Sequence, residues 1–389
     1  MIEPKLRFRA DDGSKFPDLI IAKLENLCDK IGDGLHGTPT YSKTGTYYFI
    51  NGNNLENGKI IVSLDTPKVD DSVFERNNKE LNDATILMSI NGTIGKVAYY
   101  NDEKVMLGKS VAYFKVNYKY SKEYYYQLIQ TGNVQYQFKM GLTGSTIKNL
   151  GLNTIKNTSV NVPSLPEQQK IADFLSTIDT VISNYNDTIK AWEDRKKGVM
   201  QKLFSQEVRF IADDGSEFSE WEEKNVEDVC SVSTGKGNTQ DKVDTGAYRF
   251  YVRSPIIEHS DSYLFDEEAV ITVGDGVGTG KVFHYVKGKY NLHQRCYRMY
   301  DFRGVTGKYF YYFFSTNFYR RVKSMSAKTS VDSVRMEMIT KMKISVPCLA
   351  EQQKIADCLS SLDKVIEKQK ATLAAWEELK KGLLQQMFV

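Results

Sequence analysis

The stretch Val162-Pro163-Ser164-Leu165-Pro166-Glu167-Gln168-Gln169-Lys170-Ile171-Ala172-Asp173 is written again 184 positions later as Val346-Pro347-Cys348-Leu349-Ala350-Glu351-Gln352-Gln353-Lys354-Ile355-Ala356-Asp357. The register holds through Trp192 and Trp376, through Lys196-Lys197-Gly198 and Lys380-Lys381-Gly382, and to Phe204 and Phe388. A second match, at an offset of 202, links Arg7-Phe8 and Ala10-Asp11-Asp12-Gly13-Ser14 with Arg209-Phe210 and Ala212-Asp213-Asp214-Gly215-Ser216. Chance does not give an identical Glu-Gln-Gln-Lys-Ile-Ala-Asp followed by about thirty residues of in-register matches. The chain is a duplication, and the change of offset means that the segments between the repeats differ in length.

Working outward, similarity fades but leaves a skeleton. Thr85 to Val97 parallels Ala269 to Val282, and both read as a strand, an Asn-Gly or Asp-Gly turn, and a second strand. Aromatic stretches follow, Tyr124-Tyr125-Tyr126-Gln127-Leu128 and Tyr309-Phe310-Tyr311-Tyr312-Phe313-Phe314, which read as short core helices. Closing strands are predicted at Ser159-Val160-Asn161-Val162 and Ile344-Ser345-Val346. The duplicated modules are therefore mixed α and β, and they have diverged further than the connectors have.

The connectors read as helices with a seam. Ile171, Leu175, Ile178, Ile182, Tyr185, Ile189, Trp192, Lys196, Val199 and Leu203 are spaced alternately four and three apart. Adding 184 gives Ile355, Leu359, Leu362, Ile366, Gln369, Leu373, Trp376, Lys380, Leu383 and Met387. This is the heptad spacing of a coiled-coil seam. Ser164 and Glu167 have the spacing of a capping box that would fix the first helix start, with Pro166 tolerated in the first turn. Lys196 and Lys380 fall on the seam and are expected to snorkel, weakening it near that end. Residues 165–204 would form a helix roughly 60 Å long at about 1.5 Å per residue. Parallel pairing would require a module of about 140 residues, with a radius of gyration near 14 Å, to return the chain over that length. Antiparallel pairing needs no return, so the modules are expected at opposite ends of a rod, related by an approximate two-fold axis. The chain start and end are then expected close together, because Arg7-Phe8 is the counterpart of Arg209-Phe210, which follows the first helix.

Composition sets the outer bounds. A chain of 389 residues with 41% apolar and 12% aromatic residues can bury two sizeable cores. No run of eighteen uncharged apolar residues occurs, and Met1-Ile2-Glu3-Pro4-Lys5 lacks a signal-peptide core. A cytoplasmic location, with no membrane partner, is expected. Cys28, Cys230, Cys296, Cys348 and Cys358 form no Cys-x-x-Cys pair and read as reduced thiols. Net charge is only +3, but residues 231–345 carry 18 Lys/Arg against 11 Asp/Glu, behind an acidic collar at 205–230 with 2 against 9. Residues 29–150 carry 14 against 12. A basic domain is a pointer to nucleic acid.

Catalytic signatures are missing. No Pro-Pro occurs among the eight prolines, so the Asn/Asp-Pro-Pro-Tyr/Phe loop of adenine methyltransferases is absent. The glycines from Gly274 to Gly280 lack the spacing of a phosphate-binding loop. Asp102-Glu103-Lys104 and Glu222-Glu223-Lys224 are nuclease-like triplets of the kind that arises by accident in a chain with 26% charged residues. His36, His259, His284 and His293 have no metal-ligand spacing and no nucleophile elbow accompanies them; His293, beside Gln294 and Arg295, reads as a hydrogen-bonding tip.

Pro-x-x-x-Glu-Gln-x-x-Ile-Ala, followed by a long helix ending in Lys-Lys-Gly-x-x-Gln-x-x-Phe and present twice, resembles the DNA specificity subunits of type I restriction-modification systems. So does the hairpin Ile90-Asn91-Gly92-Thr93-Ile94-Gly95-Lys96. The resemblance implies an α+β fold class: two pseudo-two-fold-related, mixed α/β target recognition domains separated by a long antiparallel helical coiled coil. The first recognition domain would span 1–162, the central helix 163–204, the second domain 205–346 and the final helix 347–389. It implies a non-catalytic subunit, each domain reading one half of a split double-stranded DNA target. The helices would act as spacer and as docking site for two methyltransferase subunits, which bring restriction/translocase subunits into the complex. No cofactor is implied on this chain; S-adenosylmethionine and ATP belong to the partners. A stand-alone nuclease or methyltransferase with unfamiliar motifs, or a coiled-coil scaffold binding another nucleic acid, stays open.

Arg and Lys read guanine, Asn and Gln read adenine, and phosphates take Lys, Arg, Ser and Thr. On that chemistry the candidates in the second module are Gln294 and Arg295 for bases, with Lys236, Asn238, Arg253, Lys281, Lys328, Thr329 and Ser330 near the groove. In the first module they are Lys43, Asn51, Asn53, Asn54, Asn91, Thr93, Lys96, Lys109, Ser145, Thr146 and Lys148.

Overall fold

Thr85–Ser89 is buried along its whole length because it is an interior strand. It lies in a four-stranded antiparallel sheet ordered Cys28–Asp33, Val111–Val116, Thr85–Ser89, Val97–Tyr99. Side chains alternate across a strand. Ile86 and Met88 accordingly join one core with Phe114, Tyr124 and Tyr125, while Leu87 joins another with Tyr113, Ile50 and Leu107. The computed structural model describes residues 3–276, 278–325 and 333–388. The chain divides into two units, Met1–Asp187 with Lys370–Val389, and Thr188–Gln369.

The second unit repeats the plan with one sheet of six strands, ordered Ser231–Thr234, Cys296–Tyr300, Phe265–Val273, Phe283–Leu292, Tyr248–Tyr251, Ile257–Ser260. In the first unit the strand matching Phe283–Leu292 is interrupted. Val97–Tyr99 stays in the four-stranded sheet, and Val105–Leu107 pairs in parallel with Tyr47–Ile50 in a separate three-stranded sheet. The break falls at Asn101-Asp102-Glu103, where Asp102 takes a left-handed φ of 64°. That conformation does not continue an extended ladder.

Helices cover one face of each sheet. The first unit has Lys122–Leu128 and Gly132–Met140, short as expected. The second has Gly307–Met325, of nineteen residues, longer than the short helix expected from the aromatic stretch. Its apolar stripe runs on past the aromatic stretch through Phe318 and Val322, both fully buried. In the first unit the helix ends at Leu128, whose carbonyl accepts from the Thr131 hydroxyl, and a second helix starts at Gly132.

The connectors are helices Leu165–Phe204 and Leu349–Met387. In the first unit Ile171, Leu175 and Ile178 share a core with Leu384 and Met387, with Ile182 and Trp376 packed against it. In the second, Leu203 and Val199 pack with Ile355, Leu359 and Leu362. The start of one helix thus meets the end of the other in each unit, and the pairs run antiparallel. Ile189 and Ile366 are buried, while Trp192 and Leu373 are half-buried, Trp192 carrying the Arg195 guanidinium 5.4 Å above its ring.

The seam lysines do not snorkel. Lys196 is paired with Asp363, and Lys380 with Asp179 at 2.6 Å; their side chains are 19% and 13% exposed. Each aspartate is also tied to a helix covering the sheet of its own unit, Asp363 by the Tyr312 hydroxyl at 2.7 Å and Asp179 by Gln127 Nε2 at 2.6 Å. The seam is held at these points rather than weakened.

The repeated Glu-Gln-Gln has a structural reason. Glu167, almost fully buried, accepts from Arg7 Nε at 2.8 Å and Nη2 at 2.9 Å. Glu351 accepts from Arg209 Nε at 3.2 Å and Nη2 at 2.9 Å, and from Trp221 Nε1 at 2.9 Å. The next glutamine ties the helix start to the rest of its unit: Gln168 accepts from Ser121 N–H, Gln352 from Thr306 N–H, and each donates to the carbonyl of its own preceding proline. The expected capping box does not form, because Glu167 is spent on Arg7 and Ser164 Oγ has no hydrogen-bond partner. Closing strands form as expected, Ser159–Val162 beside Ile20–Lys23 and Lys343–Val346 beside Glu222–Asn225. The chain ends meet in the first unit: Leu6 N–H donates to Gln386 O at 3.0 Å, and Phe388 stacks on Tyr124.

Candidate nucleic-acid interface

In each unit four separated pieces of chain converge beyond the same end of the sheet. In the second unit Gly235 N–H donates to Cys296 O, Gln294 N–H to Gly237 O, Gly274 N–H to Arg295 O and Val334 N–H to Gly274 O. The loop after Ser231–Thr234, the turn at His293-Gln294-Arg295, the loop at Gly274 and the segment at Ser333 are thereby fixed together. The first unit repeats this with Gly34 N–H to Val111 O, Ile90 N–H to Ser110 O and Leu150 N–H to Ile90 O. A Cβ on Gly34 or Gly235 would overlap two carbonyl oxygens of the neighbouring turn, so the close approach requires glycine at both places.

The expected two-residue turns are longer loops. Ser89 N–H donates to Lys96 O and Gly95 N–H to Ser89 O, which leaves Ile90 to Gly95 outside the ladder. Asn91 instead bridges to Asn149, as Asp275 bridges to Ser333. The long-range pairing has taken over from the local turn.

In the second unit Gln294 Nε2 donates to Asn238 Oδ1 at 2.8 Å, and both side chains are exposed. Asp275 accepts from Arg295 Nη1 at 2.7 Å and Arg253 Nη1 at 3.2 Å. Burial alone would raise the Asp275 pKa, but the hydrogen bonds from Arg295 and Arg253 outweigh it and hold the carboxyl below its ordinary value. His293 Nδ1 accepts the Arg295 backbone N–H at 3.1 Å, which assigns the neutral ring's proton to Nε2, 3.4 Å from Thr239 Oγ1. Burial, and then the Arg253 charge, lowers its pKa. Lys236 is exposed beside this turn. Lys281 lies elsewhere, over the Tyr319 ring of the Gly307–Met325 helix at 5.1 Å. Lys328, Thr329 and Ser330 fall outside the described residues.

The first unit carries a cleft of about 870 Å³ lined by Asp33, His36, Asn51, Asn53, Asn91, Lys109, Ser110 and Asn149, among others. Asn51 Oδ1 accepts from Ser110 Oγ at 2.9 Å, and His36 Nε2 lies 2.6 Å from Asp33. Ser145, Thr146 and Lys148 are exposed on the loop joining Leu142–Thr143 to Asn149–Leu150, and Ile147 of that loop lines the cleft. Thr93 and Lys96 sit on the loop after Asn91, with Thr93 exposed. Asn54 is spent on its own turn, accepting from Asn51 N–H and donating to Ile61 O. Lys43 lies apart from the cleft lining, beside Ser42, whose N–H donates to Lys68 O.

The sequence reading missed Asp275, Ser110, Asn149 and the Asp33–His36 pair as members of these clusters. The 184-residue offset does set Asp275 opposite Asn91, but nothing local reveals that it holds two arginines from other loops. Among the described residues, no group of three His, Cys, Asp or Glu side chains could hold a metal ion.

The model of the type I restriction modification DNA specificity domain matches residues 21–191 and 218–375. The type I restriction enzyme MjaVIII specificity subunit of Methanocaldococcus jannaschii is 23% identical over 270 residues, 62% of this chain and 64% of that protein. The chain thus spans a little under two thirds of that relative. The putative type I restriction enzyme MjaX specificity subunit of the same organism is 24% identical over 75% of this chain and 73% of its own length. The crystal structure of a type I restriction-modification system S subunit from M. genitalium shares the fold, with a TM-score of 0.62 at 16% identity, covering 100% of this chain and 99% of that one. Two matches of one domain model, falling on the two units that assemble the same four-piece cluster, establish that this chain belongs to the type I restriction-modification DNA specificity family.

Proposed function

We propose that this chain is the non-catalytic, sequence-reading subunit of a type I restriction-modification complex. Each unit reads one half of a split duplex target, and the long helices serve as spacer and as docking site for methyltransferase subunits. The observation that carries the reading is one backbone cluster built twice with different side chains on it: arginines, Gln294 and Asn238 in one copy, Asn51, Asn91 and Lys109 in the other. A common scaffold with divergent donors suits two readers of different bases. The +7 balance of residues 231–345 favours a polyanion there.

The docking surface on this reading is the helix face turned from the seam, where Gln169, Asp173 and Thr177 are exposed in one helix and Gln353, Asp357 and Ser361 in the other. Two methyltransferase subunits would bind there, bringing S-adenosylmethionine, with ATP belonging to a restriction/translocase subunit. Selection of duplexes from a random library by the full chain tests the first part. A split motif is expected, and a pool with no enriched sequence would contradict it. Light scattering of the chain mixed with methyltransferase subunits tests the second: a complex heavier than either component is expected, and none contradicts docking.

A further inference from the structure

Three loops of the second unit bring a carboxylate and two guanidinium groups to one point. Each Asp275 oxygen accepts from a different arginine, Oδ1 from Arg253 and Oδ2 from Arg295. The arginine side chains are 46% and 62% exposed, against 20% for the aspartate beneath them. The first unit has the same backbone at these positions. Ile50 O accepts from Gly108 N–H as Tyr251 O accepts from His293 N–H, and Ile90 and Gly274 donate to Ser110 O and Arg295 O. Arg253, Arg295 and Asp275 therefore correspond to Gly52, Ser110 and Asn91. All three charges are present in one unit and replaced in the other.

Exposed ion pairs add little to stability, so holding the fold does not account for the triad. What it does achieve is aim. A guanidinium has five N–H donors, and each arginine spends one on Asp275, leaving the others on side chains that stay 46% and 62% exposed. Fixing the planar fork before a ligand arrives removes part of the entropy cost of ordering it. An exposed arginine fork matches guanine O6 and N7 in the major groove.

We propose that Asp275 is a positioning residue that presents Arg253 and Arg295 to guanine, so that the half-site read by the second unit requires guanine while the first unit's is read without an arginine fork. This rests on the DNA-reading function above. The test is random-duplex selection with the full chain, comparing wild type with Arg295→Ala, Arg295→Lys, Arg253→Ala and Asp275→Asn. In the wild-type motif, one half should contain guanine at the positions that the arginine variants relax. Preference there should fall about tenfold to a hundredfold, with the other half unchanged. Arg295→Lys keeps the charge but not the planar fork, and should weaken the preference less than Arg295→Ala while retaining most affinity. Asp275→Asn should relax the same positions with an unaltered unfolding temperature, which a merely structural role would not produce.

A wild-type chain that enriches no motif overturns the DNA-reading function and this assignment with it. A wild-type motif that survives in the arginine variants overturns the guanine assignment alone. A uniform loss across sequences with a shallower salt dependence makes the arginines phosphate contacts, which also overturns it. Relaxation by the arginine variants but not by Asp275→Asn overturns the positioning role.

Discussion

At the residue scale, the most constrained groups sit where buried polar atoms have specific partners. Glu351 is fully buried and depends on Arg209 and Trp221. Arg209→Ala would leave that carboxylate with the indole N–H alone, and removing one partner of a buried ion pair costs about 3–5 kcal/mol. Chemical denaturation should show a loss of that order; a change under about 1 kcal/mol would contradict the burial argument. His293 gives a pH prediction. Its pKa is lowered, so the neutral ring that accepts the Arg295 N–H persists below the ordinary histidine value of about 6.5. Between that value and the folded pKa the unfolded chain binds more protons, so stability from this group is present at neutral pH and lost as pH falls through the folded value. An NMR titration of the His293 ring should have its midpoint below about 6.5, and one above it would contradict this.

At the element scale, the antiparallel helix pairing rests on a few side chains in each unit. Leu175 and Leu359, at equivalent positions, have no exposed surface. Truncating either to alanine should destabilise by about 2–5 kcal/mol, measured by urea unfolding. A change within about 0.5 kcal/mol would mean that the seam carries little of the packing. The heptad spacing made these contacts legible from sequence, because helical periodicity is local information. The pairing of the lysines on the same seam is not local information: their partners Asp363 and Asp179 lie on the other helix, about half its length from each lysine's counterpart, and only pairing direction brings them together. The aromatic helices were located correctly, but the nineteen-residue length of Gly307–Met325 depended on burial of Phe318 and Val322, which tertiary packing decides.

For the whole molecule, the chain ends lie side by side in the first unit, with Leu6 N–H bonded to Gln386 O. A circular permutant that joins Phe388 to Lys5 through a short linker and opens the chain at Ser205-Gln206 should keep the wild-type circular dichroism and unfold cooperatively. A molten or aggregated product would contradict the closed connectivity. The sequence by itself determined the duplication, the two mixed α/β modules, the connector helices and the positions of the strands that close each module. Each of these is encoded within a continuous stretch or in the identity of two stretches. Tertiary structure alone decided which polar side chains act together. Glu167 was claimed by Arg7 rather than by its own helix start, and Asn91 and Asp275 left their turns for segments far along the chain. Arg253 and Arg295 met on Asp275 because sheet register brought three loops to one point. Hydrogen bonds between distant segments form only after loop closure, and no local pattern in either segment specifies the other.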